Sequence, residues 1–386
     1  AAAYALIAYQ TAYLKTYYKE DFIAATMSTE LTNTSKLREF VEELKRLDVN
    51  VIRPCINNCF AEFKAEKNKI FYALSAIKNV GFEAISNIVE ERKKNGKFNS
   101  IIDFIKRVKP KDVNKLQLEG LVKAGAFDSL DENRAKLFHS IPKIILSIKN
   151  IYEEKISNQS NLFGDTEDNS NKIFEFENKV MWTKKEILSE EFTSLGFYIS
   201  DHPLNEYKDL FSQLKIKSYK DFIEGNENES LVAGTIMSIQ EKKSSKGTPF
   251  SIIKFSDNSG EYEIFLFSEL LISNRDRLKE SNSFILTLQK DKFSENSISP
   301  RINVRKVLDL SELINKSYKK VSIELKDNYN LEDLKSILKE EGETQINILV
   351  KDKNKTLAFQ LERTRKFDFN IFNDIKSKQY VKKISF

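Results

Sequence analysis

The sequence predicts a multidomain α+β chain, helical in its first part and strand-rich in its second. Three observations carry that prediction. Apolar residues recur at helical spacing up to about residue 224, with one strand-like interruption at 49–72, and from residue 230 the period becomes two. The 386 residues exceed one ordinary domain and allow about two or three. Gly, Pro and Cys number only 11, 6 and 2, which excludes collagen-like, low-complexity and disulfide-framework chains.

Residues 1–30 read as helix, from Tyr4, Ile7, Ala8, Tyr13, Leu14 and Tyr17 near helical spacing. Thr32-Asn33-Thr34-Ser35 is a helix start, and Leu37, Phe40, Val41, Leu44 and Leu47 form the apolar face that follows. Val49–Ile52, Phe60–Phe63 and Ile70–Tyr72 read as short strands, with Asn68 near a turn. Residues 73–127 return to helix, broken at Gly81, Gly96, Pro110 and Gly125. Residues 153–178 hold seven acidic and two basic residues and read mostly as a linker. Residues 180–224 are helical, around Phe192, Leu195, Phe197, Tyr198 and Ile199.

Leu231–Ile236, Phe250–Phe255, Tyr262–Phe267, Phe284–Leu288 and Arg301–Arg305 then read as five strands, with a tight turn at Asp257–Gly260 and a helical break near 268–279. That count and spacing fit an OB-fold barrel. The end of the chain reads strand (320–325), helix (331–339), strand (345–350), strand (357–361), helix (371–377), strand, which is a small α+β domain.

The segment from Ala73 to Arg92 is helix, a turn at Lys78-Asn79-Val80-Gly81, then helix. It resembles a helix-hairpin-helix motif, in which backbone N–H groups at the start of the second helix hold a DNA phosphate without reading bases. Lys78 adds a point charge and Gly81 permits close approach. Asn79 stands where the motif has Gly, and Asn tolerates positive φ. A second stretch, Val113–Phe127, leads into Lys123-Ala124-Gly125 and reads as a second such turn. An ordinary αα-hairpin with a glycine cap is the competing reading of each.

Charge favours DNA. The chain carries a formal net +5, but residues 60–127 hold 14 Lys and Arg against 8 Asp and Glu, a net of +6, leaving −1 elsewhere. Arg92-Lys93-Lys94, Lys97, Lys106-Arg107, Lys109 and Lys111 flank the turns, as a duplex-backbone partner requires.

Gln159-Ser-Asn-Leu162-Phe163-Gly164 places two apolar anchors inside the acidic linker. Such a pair suits insertion into a partner's pocket, and Gln159, Leu162 and Phe163 match the Gln-x-x-Leu-Phe peptide with which bacterial replication proteins bind the sliding clamp. A loop packing onto its own domain is the alternative. In the barrel, Lys242, Lys243 and Lys246 after the first strand are the candidates for single-stranded DNA, ahead of Phe250, Phe255, Tyr262, Phe265 and Phe267, since alternate aromatics on strands are more often core.

Several chemistries are absent from the sequence. It has no Asp-x-Asp pair to seed a two-metal site, no Walker A loop, and neither Gly-x-Ser-x-Gly nor His-Glu-x-x-His. Cys55 and Cys59 lie far in sequence from His139 and His202, so they read as inert rather than as half a metal site. His139 reads as a helix-surface residue and His202 as part of a turn before Pro203. No run approaches the ~18 apolar residues of a membrane span. The opening residues lack a basic n-region before their apolar part and do not read as a signal peptide. With no initiating Met, and a start within a helix, the chain is expected to be a piece of a longer one.

Taken in order, Ala1–Lys15, Ala73–Gly81, Lys123–Asp128, Gln159–Gly164, Leu195-Gly-Phe-Tyr-Ile-Ser-Asp-His-Pro-Leu204 and the barrel resemble the C-terminal third of the alpha subunit of bacterial DNA polymerase III. The replicative type with its OB domain ahead of the polymerase core fits poorly, because here the barrel follows the hairpins. The resemblance implies a fingers end at 1–57, with Tyr9, Gln10 and Lys15 near the incoming nucleotide. It implies duplex DNA on hairpins at 58–150, a clamp-binding linker at 151–180 and a helical connector at 181–228. An OB domain at 229–312 would meet single-stranded template, and an α+β domain at 313–386 would bind the clamp-loader tau subunit. It implies DNA-directed DNA polymerase activity for the whole subunit, with Mg2+ there and no cofactor in this part, a bacterial cytoplasmic, nucleoid-associated setting, and no activity from this part alone. A stand-alone DNA-binding clamp adaptor without catalysis is the alternative. A ligase or repair enzyme also combines hairpins with an OB-fold, but the Lys-x-Asp-Gly of a ligase is missing.

Overall fold

The computed structural model describes residues 2–157, 176–245, 247–291, 301–314, 318–326, 329–352 and 355–386. They fall into two compact units, Ala1–Pro203 and Leu204–Phe386.

The first unit is mainly helical. Its helices are α1 (Ala2–Tyr17), α2 (Lys19–Thr29), α3 (Thr34–Arg46), α4 (Phe82–Asn95), α5 (Ile101–Arg107), α6 (Lys115–Lys123), α7 (Arg134–Ser157) and α8 (Lys184–Leu195). Local sequence sets their starts. Asn33 caps α3 by accepting from Lys36 N–H, Ser100 caps α5 from Asp103 N–H, and Asn114 caps α6 from Gln117 N–H. Thr183 and Glu186 form a reciprocal capping box on α8. Strands β1 (Asn50–Ile52), β2 (Lys64–Glu66) and β3 (Lys69–Phe71) make a small sheet in the order β1-β3-β2. Lys67 and Asn68 turn between β2 and β3 with φ of 45° and 62°. Phe98, Phe104 and Phe127 pack edge to face at 5.2 and 5.1 Å in the core.

Three features of this unit differ from the sequence reading. The helix expected over 1–30 breaks at Tyr18, and no side chain of α1 is buried. The strand expected at 60–63 lies at 64–66, where the 67–68 turn lets it pair with β3, and Phe60 makes only a bridge to Ala73. The linker begins later than residue 151, because α7 continues to Ser157. Its far end returns to the same helix: Glu177 N–H donates to Ser140 Oγ (3.0 Å), Asn133 Nδ2 donates to Lys179 O (2.9 Å), and Trp182 packs on Phe138 at 5.6 Å.

The second unit holds helices α9 (Lys208–Gln213) and α10 (Tyr219–Glu224), then β4 (Glu229–Lys243), β5 (Pro249–Asp257), β6 (Gly260–Phe267), α11 (Ser268–Asn274), β7 (Ser283–Lys290) and β8 (Ile302–Asp309). The five strands form one sheet in the order β6-β5-β4-β7-β8, every neighbour antiparallel. β4 is long and carries an irregularity between Ile236 and Ser238, which lets it bend and serve both halves of the sheet. Val232, Ile236, Ile253, Phe255, Tyr262, Ile264, Phe284 and Leu286 fill the interior. Gly234 leaves room there for Tyr262, whose hydroxyl donates to Ala233 O at 3.2 Å.

Beyond these lie α12 (Leu310–Ile314), β9 (Lys320–Leu325), α13 (Leu331–Ile337), β10 (Glu341–Asp352), β11 (Lys355–Gln360), α14 (Phe369–Ser377) and β12 (Val381–Ser385). The strands order as β11-β10-β9-β12, with β9 and β10 parallel and linked through α13. Val321, Ile323, Leu334, Ile346, Phe369, Phe372 and Ile375 share its core.

Candidate nucleic-acid interface

The first hairpin is built on buried Leu74 and Ile77, which anchor the chain before it turns. Lys78 N–H then donates to Ser194 O on α8 (3.0 Å), and Val80 N–H donates to Ile77 O (3.1 Å). Asn79 takes φ +66°, the left-handed conformation that Asn adopts more readily than most side chains. Val80 points inward, while Lys78, Asn79 and Gly81 face solvent. Gly81 is the N-cap of α4, and among the described residues no side chain caps it. The opening N–H groups of a helix have no intrahelical acceptor, so this exposed first turn offers donors and the positive end of a helix dipole to an anion.

The turn is held from below by Gly120 of α6. A Cβ at Gly120 would lie 2.7 Å from Lys78 O and 3.3 Å from Val80 Cγ2, so only glycine lets α6 approach this closely. Gly120 and Ser194 position the hairpin although neither is part of the turn. The sequence signal for Gly120 is a glycine inside an otherwise helical pattern.

Lys123-Ala124-Gly125 is a different object, and the sequence expectation of a second phosphate-binding turn is corrected here. Ala124 N–H donates to Gly120 O, Gly125 N–H to Val122 O, and Ala126 N–H to Leu121 O, at 2.9 to 3.0 Å. Gly125 has φ +76°. These bonds close a Schellman cap on α6 and consume the donors that a phosphate would need. Ala124 and Gly125 are buried. Lys123 is tied to Glu190 at 3.0 Å and lies over the Phe138 ring. Behind the turn, the Arg134 guanidinium donates to both carboxylate oxygens of Asp128 (2.8 and 2.6 Å) and to Lys123 O (3.0 Å). The link that enters α6 is instead residues 108–114, packed on α4 by Asn87 Nδ2 donating to Asp112 Oδ1 at 2.7 Å. It exposes Lys109 and Lys111.

The basic excess sorts by residue type. Arg92 is buried, donates to Ile56 O and covers the Phe60 ring, and its burial lowers its pKa. Arg107 bonds Glu91, Asp103 and the carbonyls of Gly96 and Lys97, and stacks on Phe98 at 4.4 Å. Burial pushes the Glu91 carboxyl up, but bonds from Asn95 and Arg107 outweigh it and hold the pKa below its ordinary value. Both arginines are therefore structural. Lys78, Lys93, Lys94, Lys97, Lys106, Lys109 and Lys111 are left facing solvent.

The remaining candidates are dispersed. Tyr9, Gln10 and Lys15 are exposed on α1, Lys15 paired with Glu43 at 2.7 Å. Lys242 and Lys243 end strand β4 instead of lying in the loop, because pairing with β5 extends as far as Lys243 and Pro249. Lys246 lies outside the described residues, as do Gln159, Leu162 and Phe163. His139 is exposed on α7. Burial pushes the Cys59 thiol up to about 12. Among the described residues no three His, Cys, Asp or Glu side chains gather as a metal site, and no helix is long and apolar enough to cross a membrane.

Comparison with known proteins agrees with this geometry. The helix-hairpin-helix motif family matches residues 48–137. DNA polymerase III subunit alpha of Borreliella burgdorferi is 37% identical over 347 residues, covering 86% of this chain and 29% of that protein. The Caulobacter vibrioides subunit is 34% identical over 293 residues, covering 75% and 25%, and that of Neisseria meningitidis serogroup A is 32% identical over 345 residues, covering 88% and 29%. The chain thus spans between a quarter and a third of the length of these curated relatives. With its hairpin region matched and most of its length aligned, the chain belongs to the family of the DNA polymerase III alpha subunit.

Proposed function

We propose that this chain is the C-terminal, DNA-gripping and partner-docking portion of a bacterial replicative polymerase subunit, and that the carboxylates for nucleotidyl transfer lie elsewhere in that subunit. The observation that carries the reading is the exposed, uncapped first turn of α4 behind Asn79, seated on Gly120. Phosphate oxygens accept from the first-turn N–H groups, Lys78 adds a cation, and the surrounding lysines attract the backbone at longer range. None of these groups reads a base. A grip without base readout is what an enzyme that copies every sequence needs on its duplex product.

The strand order β6-β5-β4-β7-β8, with α11 between the third and fourth strands in sequence, supports reading residues 229–312 as an OB-fold. In this account the barrel meets single-stranded template through Lys242, Lys243 and Lys246. Gln159, Leu162 and Phe163 dock the sliding clamp, and residues 313–386 contact the clamp-loader tau subunit. Tyr9, Gln10 and Lys15 lie toward the nucleotide. The setting is the bacterial cytoplasm. In this account Mg2+ serves the complete polymerase, held by carboxylates outside this part.

The chain alone is expected to bind duplex DNA with an affinity that falls roughly tenfold or more from low to physiological salt, and to incorporate no nucleotide on a primed template. A gel-shift salt series and a primer-extension assay on the same preparation check both. Templated incorporation by this chain would contradict the account.

A further inference from the structure

The outward face of strands β4, β5 and β6 carries an aromatic surface that the candidate lysines do not explain. The register places Lys242, Phe250 and Phe267 in one cross-strand row, and Gln240, Ile252 and Phe265 in the next. Phe265 is 45% exposed and Phe267 50% exposed, whereas Phe255 and Tyr262, at inward positions of the same strands, are 1% and 5% exposed. The rings of Phe250 and Phe267 lie 6.3 Å apart and are tilted by 31°. The Arg301 guanidinium sits 5.9 Å from the Phe267 ring. The first row thus has a cation at each end, Lys242 and Arg301, with two aromatic rings between them.

Large apolar rings held in water are unfavourable unless something covers them. Cations flanking such rings match a partner that has flat apolar faces and a negatively charged backbone. The next row, Ser238, Lys254 and Glu263, is uncharged overall, with Glu263 exposed and Lys254 paired to Glu261 at 3.2 Å. An acidic side chain there repels a polyanion and confines it to the first two rows.

We propose that Phe250, Phe265 and Phe267 form a platform on which bases of single-stranded DNA stack, with Lys242 and Arg301 on its phosphates. The proposal rests on the reading of the barrel as the template-side module and names the surface that does the binding. Stacking tolerates every base because each has a π face, so the platform holds template without selecting sequence.

The test measures binding of the full chain to an oligothymidylate and to a strand of equal length made of abasic sites. The wild type is expected to bind the oligothymidylate and to hold the abasic strand markedly less well. Phe265→Ala with Phe267→Ala is expected to weaken oligothymidylate binding by roughly tenfold per ring and to leave abasic binding unchanged. Phe265→Leu with Phe267→Leu keeps apolar bulk without a ring and is expected to show a similar loss. If the wild type binds no single strand, the template-side reading falls and the platform with it. If it binds but the alanine pair is indistinguishable from wild type, the platform alone falls. Full retention by the leucine pair overturns stacking as the source of affinity.

Discussion

Replacing Leu162 and Phe163 together with alanine will lower the affinity of this chain for a bacterial sliding clamp by at least about a hundredfold, since each buried apolar anchor of such a peptide is worth on the order of 2 kcal/mol. The chain leaves α7 at Ser157 and is fastened to the same helix again through Glu177 and Lys179. In the proposed reading the clamp contact is made by Gln159, Leu162 and Phe163, which lie outside the described residues. Asp168→Asn, in the same acidic stretch but outside the pentapeptide, is expected to leave clamp binding unchanged. A surface-plasmon titration of both variants against immobilised clamp checks this, and equal affinity of the double variant and wild type would refute the assignment.

The second large effect is on stability. Gly125→Ala will destabilise the first unit by about 2 kcal/mol, combining the cost of a left-handed backbone for an L-residue with a clash against the buried Arg134 guanidinium. A Cβ at Gly125 would lie 2.1 Å from Arg134 Nη2 and 2.8 Å from Asp128 Oδ2. A flexible arginine in solvent would swing away, but Arg134 is 6% exposed and held by Asp128 and Lys123 O. Gly81→Ala is the contrast: φ there is −78° and nothing lies within 4 Å of the new Cβ, so stability is expected to change by less than about 0.5 kcal/mol. Urea unfolding followed by the fluorescence of Trp182, the single tryptophan, reports on the unit that holds both glycines.

Much of the architecture was legible in the residues. Strand patterning located all five strands of the barrel-like sheet and the strands of the last domain, most plainly in β6, where buried Tyr262, Ile264 and Leu266 alternate with exposed Glu263, Phe265 and Phe267. Asn33, within the start signal at 32–35, caps its helix through a bond made three residues on. Asn79 takes the positive φ that the hairpin requires. What stayed hidden depended on partners distant in sequence. Lys123-Ala124-Gly125 reads like a phosphate-binding turn until Arg134 and Asp128 are seen behind it. Arg92 and Arg107 count as basic surface until their carbonyl and carboxylate partners appear. Phe265 and Phe267 share their strand with Tyr262, and only the register separates outward rings from core. In α1 the spacing was helical, but spacing alone does not say whether a helix is covered.

The grip on DNA through one hairpin is tested most directly by duplex affinity across a salt series for wild type, Lys78→Ala and Lys123→Ala. The account predicts that Lys78→Ala weakens binding and lowers the slope of log affinity against log salt by about one phosphate contact, while Lys123→Ala, tied to Glu190 beside a buried cap, leaves both unchanged. An unchanged slope for Lys78→Ala together with a reduced one for Lys123→Ala would contradict it.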